Sequence, residues 1–188
     1  MPRMTDQAFA ELCAGQPGLF FEMTAHGELV ITPPTHSKTG TRNSRISGQL
    51  DAWAWEDGTG IATESSTGFV LPNGARRSPD AAWVPQHLVD QLPIESQDGY
   101  WHLCPTFVIE LRSDSDRMPP LRDKMREYIE NGAQLGWLID PESRTVEIYR
   151  PGRMPELLSG ADSIRGEGPV DGFVMDLGRI WNPRARQG

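Results

Sequence analysis

The sequence predicts a mixed α/β fold, a β-sheet with helices packed on it, in one domain of 188 residues. Three observations predict it. Stretches of helical period alternate with short strand-like runs. One of those runs, 106–112 (TFVIELR), is apolar on both faces at its start, as a central strand is. Hydrophobic residues make up 37% of the chain, enough to fill a real core, which excludes wholesale disorder.

The elements follow in order. Thr5 caps a short helix that runs to Cys13, with Phe9, Leu12 and Cys13 on one side, and residues 15–18 break it. Two strands, 19–24 and 28–32, are joined by His26-Gly27 into a hairpin that Pro33-Pro34 closes. Residues 36–56 form the longest helical candidate, with Ile46, Leu50, Trp53 and Ala54 in one stripe. Short β pieces follow at 61–64, 68–71 and 79–84, with Asn73-Gly74 as a tight turn between the last two. Residues 85–92 suit a short helix and 94–99 an exposed polar loop. After the central strand, 118–131 reads as a second helix, with Met118, Leu121, Met125, Tyr128 and Ile129 as its apolar arc and Gly132 as its stop. Strands 135–140 and 145–150 are linked by the turn Asp140-Pro141-Glu142-Ser143. The remainder is rich in Gly and Pro, with an apolar run at 173–177 and a tail, 184–188, expected to fray.

Charge and cysteine usage narrow the function. A net charge of −8 argues against a protein that coats DNA, because phosphate contacts need positive charge; it leaves room for a local basic cluster, and carboxylates are what divalent metals require. Cys13 and Cys104 lack metal-ligand spacing and fit free thiols in a reducing cytoplasm. No apolar run suggests a signal peptide or a membrane span, so a soluble cytoplasmic protein is expected. His26, His36, His87 and His102 have no metal spacing either, and Ser65-Ser66-Thr67 has no partnered base. Trp83, Trp101 and Trp137 read as core aromatics.

The chemistry centres on two carboxylates. Strand alternation turns Thr106, Val108, Glu110 and Arg112 to one face of 106–112. A Glu deep in an apolar strand is costly unless paired or bound to a metal, so Glu110 is either an ion-pair partner or a ligand. Asp80 stands where the turn SPD becomes a strand, at the mouth of a possible cleft. Two carboxylates on neighbouring strands suit Mg²⁺, which takes one or two of them and fills its octahedron with water or phosphate oxygens. Lys124 lies at the rim of its helix's apolar arc, where it either reaches inward as a cation for developing charge or snorkels and pairs with Glu127 or Tyr128. The basic residues between Arg112 and Arg126 could form a positive rim for DNA, although acids share the run.

Taken together, GFVLPNGARRSPDAAWV and PTFVIELRSDSDRMPPLRDKMREYIENGAQLGWLIDPESRTVEIYR resemble the PD-(D/E)xK nuclease superfamily, and within it the Uma-type putative restriction endonuclease branch, a domain of unknown function. The resemblance covers about residues 28–150 and rests on several elements agreeing in order and spacing. It implies a restriction-endonuclease-like core of helix, three strands, helix and strand. The implied partition is an N-terminal helix and hairpin at 1–35, a nuclease-like core at 36–150 and a C-terminal extension at 151–188, all in one domain. The family's aspartate falls on Asp80 and its second acid on Glu110, with the Leu111 carbonyl as a further metal ligand. The usual lysine position holds Arg112, which cannot serve as a base but can still hold a phosphate; the resemblance makes Lys124 the replacement. Glu64 and Glu28 are additional acids of the neighbouring strands.

Two functions are therefore weighed. One is a Mg²⁺-dependent DNA endonuclease, with Mn²⁺ as substitute, in which Asp80, Glu110, Arg112 and Lys124 carry the chemistry. The other is a catalytically inactive nucleic-acid-binding or assembly module on the same fold. DNA is the expected partner, and a homodimer would let two sites reach both strands.

Overall fold

The structure, a computed structural model, describes residues 4–32, 36–93 and 99–184. The Pro33-Pro34 closure, nearly all of the 94–99 loop and the tail 185–188 lie outside the described residues. Helix α1 (Asp6–Ala14) is capped by Thr5, whose Oγ1 accepts from the Ala8 N–H at 3.2 Å. Strands β1 (Phe20–Met23) and β2 (Leu29–Thr32) form the hairpin, with Glu22 opposite Val30. Helix α2 (Ser37–Asp57) buries Ile46, Leu50 and Ala54 and ends at Gly58, whose φ of 68° is the left-handed conformation that glycine adopts without strain.

Strands β3 (Gly60–Glu64), β4 (Phe69–Val70), β5 (Arg76–Arg77) and β6 (Ala81–Pro85) follow, then the short α3 (Gln86–Val89), β7 (Phe107–Leu111) and α4 (Met118–Glu130). The chain continues through β8 (Leu135–Asp140), β9 (Thr145–Tyr149), β10 (Glu156–Ser159) and β11 (Ser163–Arg165), and closes with β12 (Val174–Asp176) and the single turn α5 (Gly178–Trp181).

The main sheet has six strands in the order β10-β9-β8-β7-β6-β3. All its pairs are antiparallel except β7–β8, which is parallel and is bridged by α4 as its crossover. The sheet is mixed, as expected, and both faces are covered. One face, with Ile109, Phe107, Trp137 and Trp83, packs against α2 and the C-terminal residues Phe173, Met175 and Ile180. The other, with Val108, Ala82 and Leu138, packs against Met125 and Tyr128 of α4. The C-terminal segment is thus part of the main core: Phe173 stacks on Trp137 at 5.8 Å and meets Trp53 at 5.5 Å.

A second sheet of four strands, β2-β1-β5-β4, differs from the sequence expectation. Asn73-Gly74 does not lead straight from 68–71 into 79–84. It returns the chain into β5, a strand made of two arginines, which pairs with both β4 and β1. No apolar pattern marks β5, because ion pairs satisfy its Arg77 rather than a hydrophobic contact.

Candidate active site

Antiparallel register fixes the first two residues of the site. Ala81 stands opposite Ile109, so Asp80, one residue before β6, reaches the level of Glu110 and Leu111. Alternation then turns Asp80 and Glu110 to the face that carries Ala82 and Val108, the side on which α4 lies. Asp80 Oδ2 accepts the Leu111 N–H at 2.8 Å, and its Oδ1 accepts Asn43 Nδ2 from α2 at 2.7 Å. In an extended strand a residue's carbonyl leaves on the same side as its N–H, so the Leu111 carbonyl faces the same neighbourhood.

Glu110 is only 4% exposed. Its Oε1 accepts from the Tyr128 hydroxyl at 3.1 Å and lies 2.7 Å from Lys124 Nζ. Tyr128 and Lys124 are one turn apart on α4, so one helix presents both to the same carboxylate. The ammonium also touches Glu22 Oε1 at 2.8 Å. Glu22 comes from β1 of the second sheet; its Oε1 accepts the Ser78 N–H at 2.8 Å and its Oε2 lies 3.4 Å from Arg77. Arg77 in turn donates its Nε to Glu127 of α4 at 2.6 Å. Glu110, Lys124, Glu22, Arg77 and Glu127 thus form one chain of ion pairs that joins the two sheets through α4.

This chain lies in a cleft of about 990 Å³, with the hairpin as one wall and the start of α4 as the other. Alternation along β1 turns Phe20, Glu22 and Thr24 into the cleft, while Met23 packs behind them with Phe9 and with Phe21, which also reaches the cleft edge.

Burial and mutual repulsion set the charges. Burial, with Asp80 and Glu22 nearby, pushes the Glu110 carboxyl up to about 8 despite Lys124. Burial also raises Asp80, against the pull of the Leu111 N–H, Lys124 and Asn43. Burial disfavours a charged Glu22, but Lys124 and Arg77 more than offset this and hold it below the usual carboxylate value. Desolvation works against the half-buried Lys124 ammonium, but Glu110 and Glu22 raise it, so it stays charged.

The donor set suits a hard cation. Among the described residues no three His, Cys, Asp or Glu side chains form a ready metal cage. An ion here would rely on two carboxylates, a backbone carbonyl and water, which is the habit of Mg²⁺. Two buried carboxylates that resist ionising side by side are the pair a divalent cation would relieve. Asn43 Oδ1, buried beside Asp80, has no hydrogen-bond partner among the described residues.

The other residues singled out by sequence go elsewhere. Strand β7 ends at Leu111, so alternation does not carry over to Arg112. Arg112 lies opposite Asp140 in the extended β7–β8 register, and its guanidinium pairs with Asp140 at 3.1 Å and Glu142 at 2.8 Å. It is not brought to Asp80 or Glu110. Glu28 is exposed on the hairpin wall, and Glu64 is exposed and accepts the Ser66 N–H at 3.1 Å; neither joins the ion-paired chain. The basic run is largely neutralised, with Arg122 on Glu147 and Arg126 on Asp123, while Arg117 remains on the cleft lip. Sequence reasoning missed Glu22, Arg77 and Asn43. Alternation in residues 19–24 sets Glu22 apart from Phe21 and Met23, but only the packing of one sheet on the other shows what it faces.

The fold is that of a nuclease-like α/β protein. Residues 6–178 match the Uma2 family, described as "Putative restriction endonuclease", and the chain belongs to that family. Among solved structures it is similar to one from Anabaena variabilis ATCC 29413, described as "a putative nuclease belonging to DUF820". That likeness has a TM-score of 0.79 at 17% identity and covers 94% of this chain and 97% of the other; it shows the shared fold. No curated protein gives a significant match. No helix among the described residues is long and apolar enough to cross a membrane.

Proposed function

We propose that the chain is a metal-dependent endodeoxyribonuclease that hydrolyses phosphodiester bonds in DNA. The observation that carries this reading is the meeting of Asp80, Glu110 and Lys124 in one cleft, with both carboxylates raised by burial. Asp80, Glu110 and the Leu111 carbonyl would hold Mg²⁺, or Mn²⁺ in its place, which when bound supplies a Lewis acid and an acidified water. Asn43 and the Leu111 N–H orient Asp80, and Tyr128 orients Glu110. Lys124 stays protonated and offers its ammonium to the phosphate oxygens on which charge gathers. Arg112 has no part in this scheme, since Asp140 and Glu142 hold it. A homodimer in the cytoplasm, where the free thiols Cys13 and Cys104 stay reduced, would bring two such sites to the two strands.

The test is cleavage of supercoiled, linear and single-stranded DNA by the purified protein with Mg²⁺ or Mn²⁺. Cutting is expected, and Asp80→Ala should lower it by roughly 100-fold or more. No cutting with either metal, or equal cutting by Asp80→Ala, would overturn the reading.

One observation favours a second reading, the inactive nucleic-acid-binding or assembly module. Lys124 already contacts Glu110 and Glu22, so the acids have a partner without metal. Calorimetric titration with Mn²⁺ separates the two. Binding at millimolar strength or tighter, lost in Glu110→Gln, counts against the inactive module.

A further inference from the structure

We propose that Glu22 is the positioning residue of Lys124: it keeps the ammonium in the cleft when Glu110 turns to another partner. The consequence for catalysis rests on the nuclease reading; the hold itself does not.

The argument starts from the asymmetry of the two carboxylates that share Lys124. Their distances to Nζ are almost equal, 2.7 Å for Glu110 and 2.8 Å for Glu22. Their surroundings are opposite. Glu110 lies beside Asp80, and its other partner among the described residues is the neutral Tyr128 hydroxyl. Glu22 is fixed from three sides by the Ser78 N–H, Arg77 and Lys124. Its anchors do not depend on Glu110: Ser78 belongs to the backbone before β6, and Arg77 is clamped by Glu127. Glu110 is therefore the carboxylate that a cation would recruit, and Glu22 the one that stays.

Without Glu22, recruitment of Glu110 would leave a half-buried ammonium with no carboxylate, and that costs free energy unless the side chain swings out to water. With Glu22, the lysine gives up one contact and keeps the other. The hairpin that carries Glu22 thus completes a site whose two other acids and lysine stand before β6 (Asp80), on β7 (Glu110) and on α4 (Lys124).

The test exploits a feature of the sequence. The chain has only two lysines, Lys38 and Lys124, so ¹⁵N-lysine labelling gives two side-chain ammonium signals. Lys38 is exposed and serves as the fast-exchanging reference. In metal-free Glu110→Gln, the Lys124 signal should remain slow to exchange with water, and in Glu22→Gln/Glu110→Gln it should match Lys38. In Glu22→Gln alone, exchange should quicken by about tenfold, the factor of one charge-assisted hydrogen bond, and Glu22→Asp should restore part of it. The proposal is overturned if Lys124 in Glu110→Gln becomes as labile as Lys38. Should that variant not fold, unchanged exchange in Glu22→Gln overturns it equally. Neither readout needs metal or DNA, so both decide the matter even if the nuclease reading fails. Where cleavage is observed, Glu22→Gln should lower kcat by roughly 10- to 100-fold with little change in KM; an unchanged kcat would refute the catalytic consequence while leaving the nuclease reading intact.

Discussion

Glu110 links stability to proton uptake. Its folded-state value, about 8, lies above its ordinary value of 4.5. The unfolded chain therefore releases this proton first as pH rises. The stability contributed by Glu110 is fully present below 4.5 and is lost as pH climbs through about 8. Metal-free protein should accordingly become easier to unfold by urea across that window, and Glu110→Gln should flatten the slope. Asp80 acts with the same sign, while Glu22, held low, titrates below the window. Metal affinity should run the other way: Glu110 must shed its proton to bind, so Mn²⁺ titrations should tighten as pH rises toward about 8 and release protons to the buffer. Arg112 makes a contrasting prediction. Its partly buried pair with Asp140 suggests that Arg112→Ala costs about 1 kcal/mol of stability and leaves DNA cleavage unchanged; a large fall in cleavage would give it a role in the site. At this scale strand alternation singled out Glu110, the family resemblance set Asp80 beside it, and the register of β6 on β7 brings the two to one level. The sequence misdirected on Arg112, because alternation holds only as far as the strand does.

Elements deliver these residues through close contacts that can be tested one by one. At Gly60 an added Cβ would strike the Val84 carbonyl and the Trp83 ring. Backbone cannot step aside as a flexible side chain can, so Gly60→Ala should cost about 1–3 kcal/mol in denaturant melts. At Gly136 the nearest atom is Met125 Cε, 2.5 Å away at the end of a flexible chain. Gly136→Ala should therefore cost less than about 1 kcal/mol, since methionine repacks readily. The longer helices, the hairpin and the central strand were legible because each has a clear period or turn signal. Strand β5 was not, because Arg76 and Arg77 carry a strand's hydrogen bonds without a strand's apolar pattern. Their role became visible only when Glu22 and Glu127 were found on either side of Arg77.

Across the whole molecule, the C-terminal segment is as much core as the strands that precede it. Phe173 is 1% exposed and sits among Trp53, Phe107 and Trp137. Phe173→Ala should cost about 3–5 kcal/mol, and a chain ending at Arg150 should fail to unfold cooperatively in calorimetry. Sequence alone marked this region only as a weak apolar run, because short strands separated by Gly and Pro carry little periodicity. The parallel pairing of β7 and β8 has a further consequence. Two parallel neighbours cannot be joined by a tight turn, so the chain must cross over, and the segment that crosses is the one bearing Lys124. Asp80 and Glu110 can come together on adjacent antiparallel strands before that crossover has docked; the lysine cannot join them until it has. Lys124 thus arrives with the crossover: Glu22, Asp80 and Glu110 all precede it in the chain, and the packing of α4 on the sheet completes the cluster.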